Sequence, residues 1–172
     1  VLLRNHYRCN KEIIGFNNKK YYNSKLKIQS KSKEPEPLVY MDVKSDNTQI
    51  KNTSPAEVEE VVEYALLNKD KSIAVITPFV NQKQLIENAI KQNKLSNLVC
   101  GTVHAFQGDE KDVVLFSTAI SERTSSGTYN WLKNNKELIN VATSRAKEKL
   151  VLLTNGKELE RLHAGQADDD LY

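Results

Sequence analysis

The sequence predicts an α/β fold, a mainly parallel sheet with helices on both faces, and three observations carry the prediction. The segments 72–77, 98–102 and 112–118 are apolar at nearly every position, as in Ile73-Ala74-Val75-Ile76 and Val113-Val114-Leu115-Phe116, where a half-exposed strand would alternate. Helical patterns fall between these runs, and strands separated by helices imply right-handed parallel crossovers. The 172 residues are 39% hydrophobic and 27% charged with only 6 Gly and 4 Pro, the composition of one ordinary folded domain.

In chain order, Asn10 caps a predicted short helix over 10–20, with Ile13, Ile14 and Phe16 on its apolar side. The lysines, serines and Pro-x-Pro pair of 27–37 predict an exposed loop. Residues 38–43 predict a strand. Ser54-Pro55-Ala56-Glu57 then combines a capping box with proline at the first helical position, the clearest helix start in the chain. Val58, Val61, Val62, Ala65 and Leu66 follow at helical spacing, with Glu59, Glu60 and Glu63 on the wet side. A helix over 81–92 links the strands 72–77 and 98–102, and a short turn precedes the strand 112–118. The last unit is expected as a loop over 120–131, a helix over 134–146, a strand over 149–154 and a helix after Asn155. Residues 1–163 thus form one domain, and 164–172 an acidic disordered tail.

Two cysteines, Cys9 and Cys100, stand in no CxxC or Cys/His spacing, so no disulfide framework and no metal site is expected. The apolar runs are too short to span a membrane and no secretory signal is visible, which predicts a cytoplasmic protein without a membrane partner. Net charge is only +3, but residues 1–33 carry nine Lys/Arg against one acid, which makes one end basic.

Neither G-x-x-x-x-G-K-[ST] nor G-x-G-x-x-G occurs, so the chain has no loop with which to cradle a triphosphate by itself; GxSxG and HExxH are missing as well. In parallel sheets ligands bind beyond the carboxyl ends of the strands, which directs attention to the residues after Thr77, Thr102, Thr118 and Thr154. Three segments carry candidate chemistry. The turn Thr102-Val103-His104-Ala105-Phe106-Gln107-Gly108-Asp109-Glu110 crowds hydroxyl, amide, glycine and acids between two buried strands. It reads equally well as a phosphate-binding turn or as a polar connection satisfying its own hydrogen bonds. In Asn140-Val141-Ala142-Thr143-Ser144-Arg145, an arginine beside small residues near a helix end offers a planar fork suited to phosphate, or simply a solvated cation favoured by the helix dipole. In His6-Tyr7-Arg8 an aromatic ring adjoins a cation, a pairing that serves base stacking and phosphate contact but is common by chance.

In this order the segments resemble motifs IV, V and VI of the second RecA-like domain of superfamily 1 helicases. Leu3-Arg4-Asn5-His6-Tyr7-Arg8 resembles L-x-x-x-Y-R, Thr77-Pro78-Phe79-Val80-Asn81-Gln82 resembles T-P-Y-x-x-Q, residues 102–112 resemble T-V-D-x-F-Q-G-x-E-x-D, and residues 140–147 resemble N-V-A-L-T-R-A-K. The nearest branch resembles that of the nonsense-mediated-decay RNA helicase and related DNA helicases. His104 replaces the usual aspartate, Cys9-Asn10-Lys11 replaces M-H-P, and Lys136-Glu137 stands where Arg-Arg is common, as in a divergent member.

The resemblance implies a P-loop NTPase fold lacking the P-loop, and an ATP-dependent helicase motor completed by a first domain that holds most of the ATP and Mg2+. It implies that Tyr7 stacks on adenine, that Arg8 and Arg145 contact the γ-phosphate, and that Glu110 approaches the ribose or γ-phosphate. Gln107 and Gly108 would line the nucleotide cleft. Thr77, Pro78 and Thr102, with His104, would meet single-stranded DNA or RNA. The alternative is a catalytically silent nucleic-acid-binding or interaction module derived from a helicase.

Overall fold

Five strands, all parallel, form the central sheet in the order β3-β7-β6-β4-β5 of a computed structural model that describes residues 5–6, 27–28, 36–44, 49–102 and 110–163. The elements are β1 (Asn5–His6), β2 (Lys27–Ile28), β3 (Leu38–Asp42), α1 (Pro55–Leu67), β4 (Ile73–Ile76), α2 (Val80–Gln92), β5 (Leu98–Gly101), β6 (Lys111–Ser117), α3 (Ser126–Asn134), α4 (Lys136–Arg145), β7 (Ala146–Thr154) and α5 (Gly156–His163). The predicted helix over 10–20, Cys9 and the tail over 164–172 lie outside the described residues.

Alternate residues of the central strands feed two separate cores, which is why the runs are apolar throughout. Ala74, Ile76, Val114 and Phe116 pack with Tyr129 and Leu132 of α3, Leu138, Ile139 and Ala142 of α4, and Leu159 and Leu162 of α5. Ile73, Val75, Val113, Leu115, Val151 and Leu153 pack on the other face with Val61 and Ala65 of α1 and Ile86 of α2. The three-layer arrangement agrees with the predicted fold class. The edge strand β5 departs from full burial: Val99 is exposed and Cys100 half-buried. The Cys100 thiol is free, and burial pushes it up to about 12, so it stays protonated and inert.

Two local expectations are corrected. Lys27 and Ile28 begin a stretch expected as a loop, yet they pair in parallel with Asn5 and His6; at the far end Pro37 is buried and its carbonyl accepts from Leu150 N at 2.8 Å. Backbone pairing leaves no mark on side-chain composition, so the lysines and serines hid it. Part of 120–131, also expected as a loop, is helix α3. Ser125 accepts from Thr128 N at 3.1 Å as its cap, and Tyr129 and Leu132 are buried at helical spacing. Ser125-Ser126-Gly127 reads as a turn but serves as a helix start. The helix expected over 134–146 forms as α4. Asn135 closes α3 and caps α4 through Leu138 N at 3.1 Å, and β7 begins directly at Ala146.

The helix start at Ser54 forms as predicted, but only half of the capping box does. Ser54 Oγ accepts from Glu57 N at 3.3 Å, while Ser54 N donates to Gln82 Oε1 of α2 at 2.8 Å. The Glu57 carboxylate turns inward. Its Oε1 accepts from Ser117 Oγ at 2.9 Å and from Ala119 N at 3.1 Å, and Ser117 Oγ accepts in turn from Gln82 Nε2 at 3.0 Å. Ser54, Glu57, Gln82 and Ser117 are all fully buried, and Ala119 holds the left-handed φ of 52°. These bonds tie the amino ends of α1 and α2 to the carboxyl end of β6.

Burial raises the Glu57 pKa from 4.5 to about 8, against the lowering effect of the Ala119 and Ser117 hydrogen bonds. The unfolded chain releases this proton near the lower value and the folded chain near the higher. Between the two the folded state binds more protons, so stability falls as pH rises, by up to about 1.4 kcal/mol per unit, and levels off above about 8. Glu57→Gln keeps the accepting oxygen and removes the titration. Urea midpoints measured across this window should flatten in that variant and slope downward in the parent.

Candidate active site and nucleic-acid interface

Because every strand of the sheet runs the same way, each element end belongs to one of two edges, and the described candidate residues divide between them. At the carboxyl edge β4 and β5 pair through Ile76 and Gly101, and Thr77 N donates to Gly101 O at 3.3 Å. This places Thr77 beside the end of β5, with Pro78 and Thr102 half-buried just past their strands. Thr77 is itself fully buried, and its Oγ1 accepts from Phe79 N at 3.4 Å, closing the turn into α2. Phe79 is the N-cap of α2, and among the described residues no side-chain hydrogen bond caps that helix.

The two other strand ends singled out are closed by their own bonds. Thr118 Oγ1 lies 2.9 Å from Thr154 Oγ1 and 3.1 Å from Leu153 O, both threonines are buried, and Asp42 Oδ1 accepts from Gly156 N at 2.8 Å.

Glu110 and Arg145 lie at the opposite, amino edge, a correction to the expectation that the chemistry would gather beyond the carboxyl ends of the strands. Lys111 of β6 pairs with Ala146 of β7, so Glu110 and Arg145 each stand one residue before a paired position. The reason is directional: α4 runs back against the strands, and its last turn arrives where β7 starts. A register shift follows at once, with Val113 opposite Lys149, and such irregularities re-aim neighbouring side chains. Arg145 is half-buried, and its Nε is buried without a hydrogen-bond partner; Asn140 Oδ1 on the same helix is in the same condition.

Polar contacts hold this edge together. Ser72 N donates to Asp112 Oδ2 at 3.0 Å and Asp112 N donates to Ser72 Oγ at 2.9 Å, which ties the start of β4 to the start of β6. The Ser72 N–H is the main reason the Asp112 carboxyl sits below the usual carboxylate range. Lys71 Nζ meets Glu148 Oε2 of β7 at 2.8 Å, which extends the tie to the third strand. Sequence reasoning met Asp112 only as the last residue of the 102–112 motif and the first of a strand, and passed over Ser72, because a serine before one apolar run and an aspartate before another carry no signal of a bond until the strands are known to be neighbours. It also missed the inward turn of Glu57, although the capping box had marked that residue.

Tyr7, Arg8, His104, Gln107 and Gly108, and with them the expected meeting of Arg8 and Arg145, lie outside the described residues. An open groove of about 610 Å³ between α1 and α2, lined by Pro55, Val58, Val62, Leu66 and Leu85 among others, holds none of the candidate residues. Leu66, expected on the buried side of α1, is 43% exposed there. No helix among the described residues is long and apolar enough to cross a membrane.

A parallel, doubly covered sheet with threonines at the strand ends of one edge, and Glu110 and Arg145 beside the Lys111–Ala146 pairing at the other, is a RecA-like α/β domain. The chain belongs to the AAA domain family, which matches residues 1–157, and it is a superfamily 1 helicase domain. Helicase sen1 of Schizosaccharomyces pombe is 30% identical over 186 residues, covering 92% of this chain and 11% of that protein. A human protein described as a probable helicase with zinc finger domain is 28% identical over 161 residues, covering 83% of this chain and 8% of that protein. The chain therefore spans about a tenth of the length of these relatives. The C-terminal domain of a possible DNA helicase from Lactobacillus plantarum has a similar fold, with a TM-score of 0.52 at 18% identity, covering 87% of this chain and 88% of that one.

Asp112→Ala removes the acceptor of Ser72 N and loosens β4 from β6 at the edge that presents Arg145. Urea denaturation should show a loss of about 1–2 kcal/mol, with the larger loss in a Ser72→Ala/Asp112→Ala comparison falling to the aspartate, whose bond is charge-assisted.

Proposed function

We propose that this chain is the second motor domain of an ATP-dependent superfamily 1 helicase, supplying arginine to a nucleotide held mainly by a first domain and gripping single-stranded DNA or RNA at its other edge. The observation that carries the reading is Arg145: its Nε is buried and has no acceptor, at a sheet edge that also presents Glu110, in a family member with no phosphate loop. A buried donor left without a partner is unfavourable by about 1–3 kcal/mol. An anion arriving from outside the domain relieves that, so the residues present fit a polyphosphate approached from one side.

ATP with Mg2+, when bound, supplies phosphoryl transfer as the source of free energy. Arg145, and Arg8 with it, stabilise charge on the γ-phosphate, a contribution worth roughly 10³ to 10⁵ in rate where such arginines have been removed. Glu110 orients the ribose or γ-phosphate side, Tyr7 stacks on the adenine, and Gln107 and Gly108 line the cleft. At the carboxyl edge Pro78, Thr102 and His104 approach the phosphates of a single strand, and Thr77, being buried, acts by fixing the turn. The N–H groups of α2 that no side chain caps favour phosphate at the same place.

Arg145→Ala, made in the natural polypeptide that carries both motor domains, should abolish ATP turnover while single-strand binding stays within about threefold of the parent. The isolated 172-residue chain should show no turnover. Normal turnover by the Arg145 variant would remove the arginine from this role, and turnover by the isolated chain would show that no first domain is needed.

A further inference from the structure

Trp131 is the only tryptophan in the chain, and half of its surface is exposed although the neighbouring residues of α3, Tyr129 and Leu132, are fully buried. It faces Phe79, with ring centroids 6.0 Å apart and planes inclined at 42°. Phe79 follows Pro78 in the turn that leaves β4, and Val80, the next residue, is 71% exposed. An apolar patch with two aromatic rings therefore sits at the carboxyl edge. The tilt matters: inclined rings do not cover each other's faces, so the pair leaves aromatic surface in water.

The chain around the patch is selective in charge. Neither 77–83 nor 128–133 contains an acid, while Lys83 and Lys133 lie within them; Lys133 stands over the Tyr129 ring at 6.0 Å. Lys83 is paired with Glu87 Oε1 one turn further along α2, at 3.4 Å, and Glu59 and Glu63 line the α1–α2 groove. Exposed aromatic faces with Lys133 beside them and no acid in their own two segments suit an anionic chain that carries flat, apolar rings.

We infer that Trp131 and Phe79 form a stacking platform for the bases of a single-stranded nucleic acid whose backbone is held at Pro78 and Thr102. The inference rests on the proposed nucleic-acid role of that edge and adds a base contact to a set of backbone contacts. Every base has a π-face, so the platform is tolerant of sequence and serves DNA and RNA alike.

The single tryptophan reports on this position without labelling. The 172-residue chain is titrated with a thymidine oligonucleotide and with an abasic deoxyribose-phosphate strand of equal length, following tryptophan emission and, in parallel, the anisotropy of end-labelled strands. Emission should be quenched by the thymidine strand and much less by the abasic one. Trp131→Ala should weaken thymidine-strand binding about tenfold with an unchanged circular dichroism spectrum, and Trp131→Phe should recover most of the loss. If anisotropy shows saturable binding while emission and the affinity of Trp131→Ala stay unchanged, the platform is wrong and the nucleic-acid role survives. Equal quenching by both strands would likewise overturn the platform. No anisotropy change with either strand would remove the nucleic-acid role and the platform together, and emission that shifts with protein concentration alone would assign the patch to contact between copies.

Discussion

The buried bonds between Ser54, Glu57, Gln82 and Ser117 are the constraint on which the carboxyl edge depends. Gln82 lies three residues beyond Phe79, so anchoring its amide to the Ser54 backbone and the Ser117 hydroxyl fixes where α2 begins and with it the turn through Thr77 and Pro78. Glu57 closes the network by taking bonds from Ser117 and from the strained Ala119 backbone. A buried carboxyl is unfavourable to ionise, and one of its oxygens has no partner, so its contribution is to specify a geometry more than to add stability. The surrounding apolar packing, from Val61 and Ile86 to Leu115, supplies the stability that makes such a group tolerable.

The opposite edge is fastened by a different means. Ser72 with Asp112 and Lys71 with Glu148 stitch three successive strands together at their starts, near the surface and partly open to water. The Lys71–Glu148 ion pair adds little to stability and is weakened by salt, so the Ser72–Asp112 bonds carry more of the tie. Their value is positional, since the register shift beside them determines where the last turn of α4 delivers its arginine. A sheet with a deeply buried polar lock at one end and a shallow one at the other is stiffer where the turn into α2 is set than where Arg145 emerges.

Most of the architecture was legible because strand burial on both faces writes itself directly into the sequence as unbroken apolar runs. β4 and β6 were found for that reason, and α1 because serine, proline and glutamate mark a helix start by local chemistry. Elements whose signals depend on partners were not legible. β2 is defined only by pairing with β1, and α3 begins in a serine-glycine stretch whose capping role shows only once Tyr129 and Leu132 are seen to be buried. The candidate residues were found by motif, but their division between two edges required the topology. Glu110 and Arg145 are far apart in sequence and become neighbours only because β6 and β7 pair at Lys111 and Ala146.

That division has an evolutionary consequence on the proposed reading. A rigid slab with the fuel on one rim and the track on the other lets lineages alter what they walk along without disturbing what powers them. Substitutions around Trp131 and Pro78 can retune the choice of strand while Arg145 keeps its place, because the bonds described at each rim stay within that rim. Modularity of that kind inside a single domain offers a physical route by which one motor design spreads across many polymers.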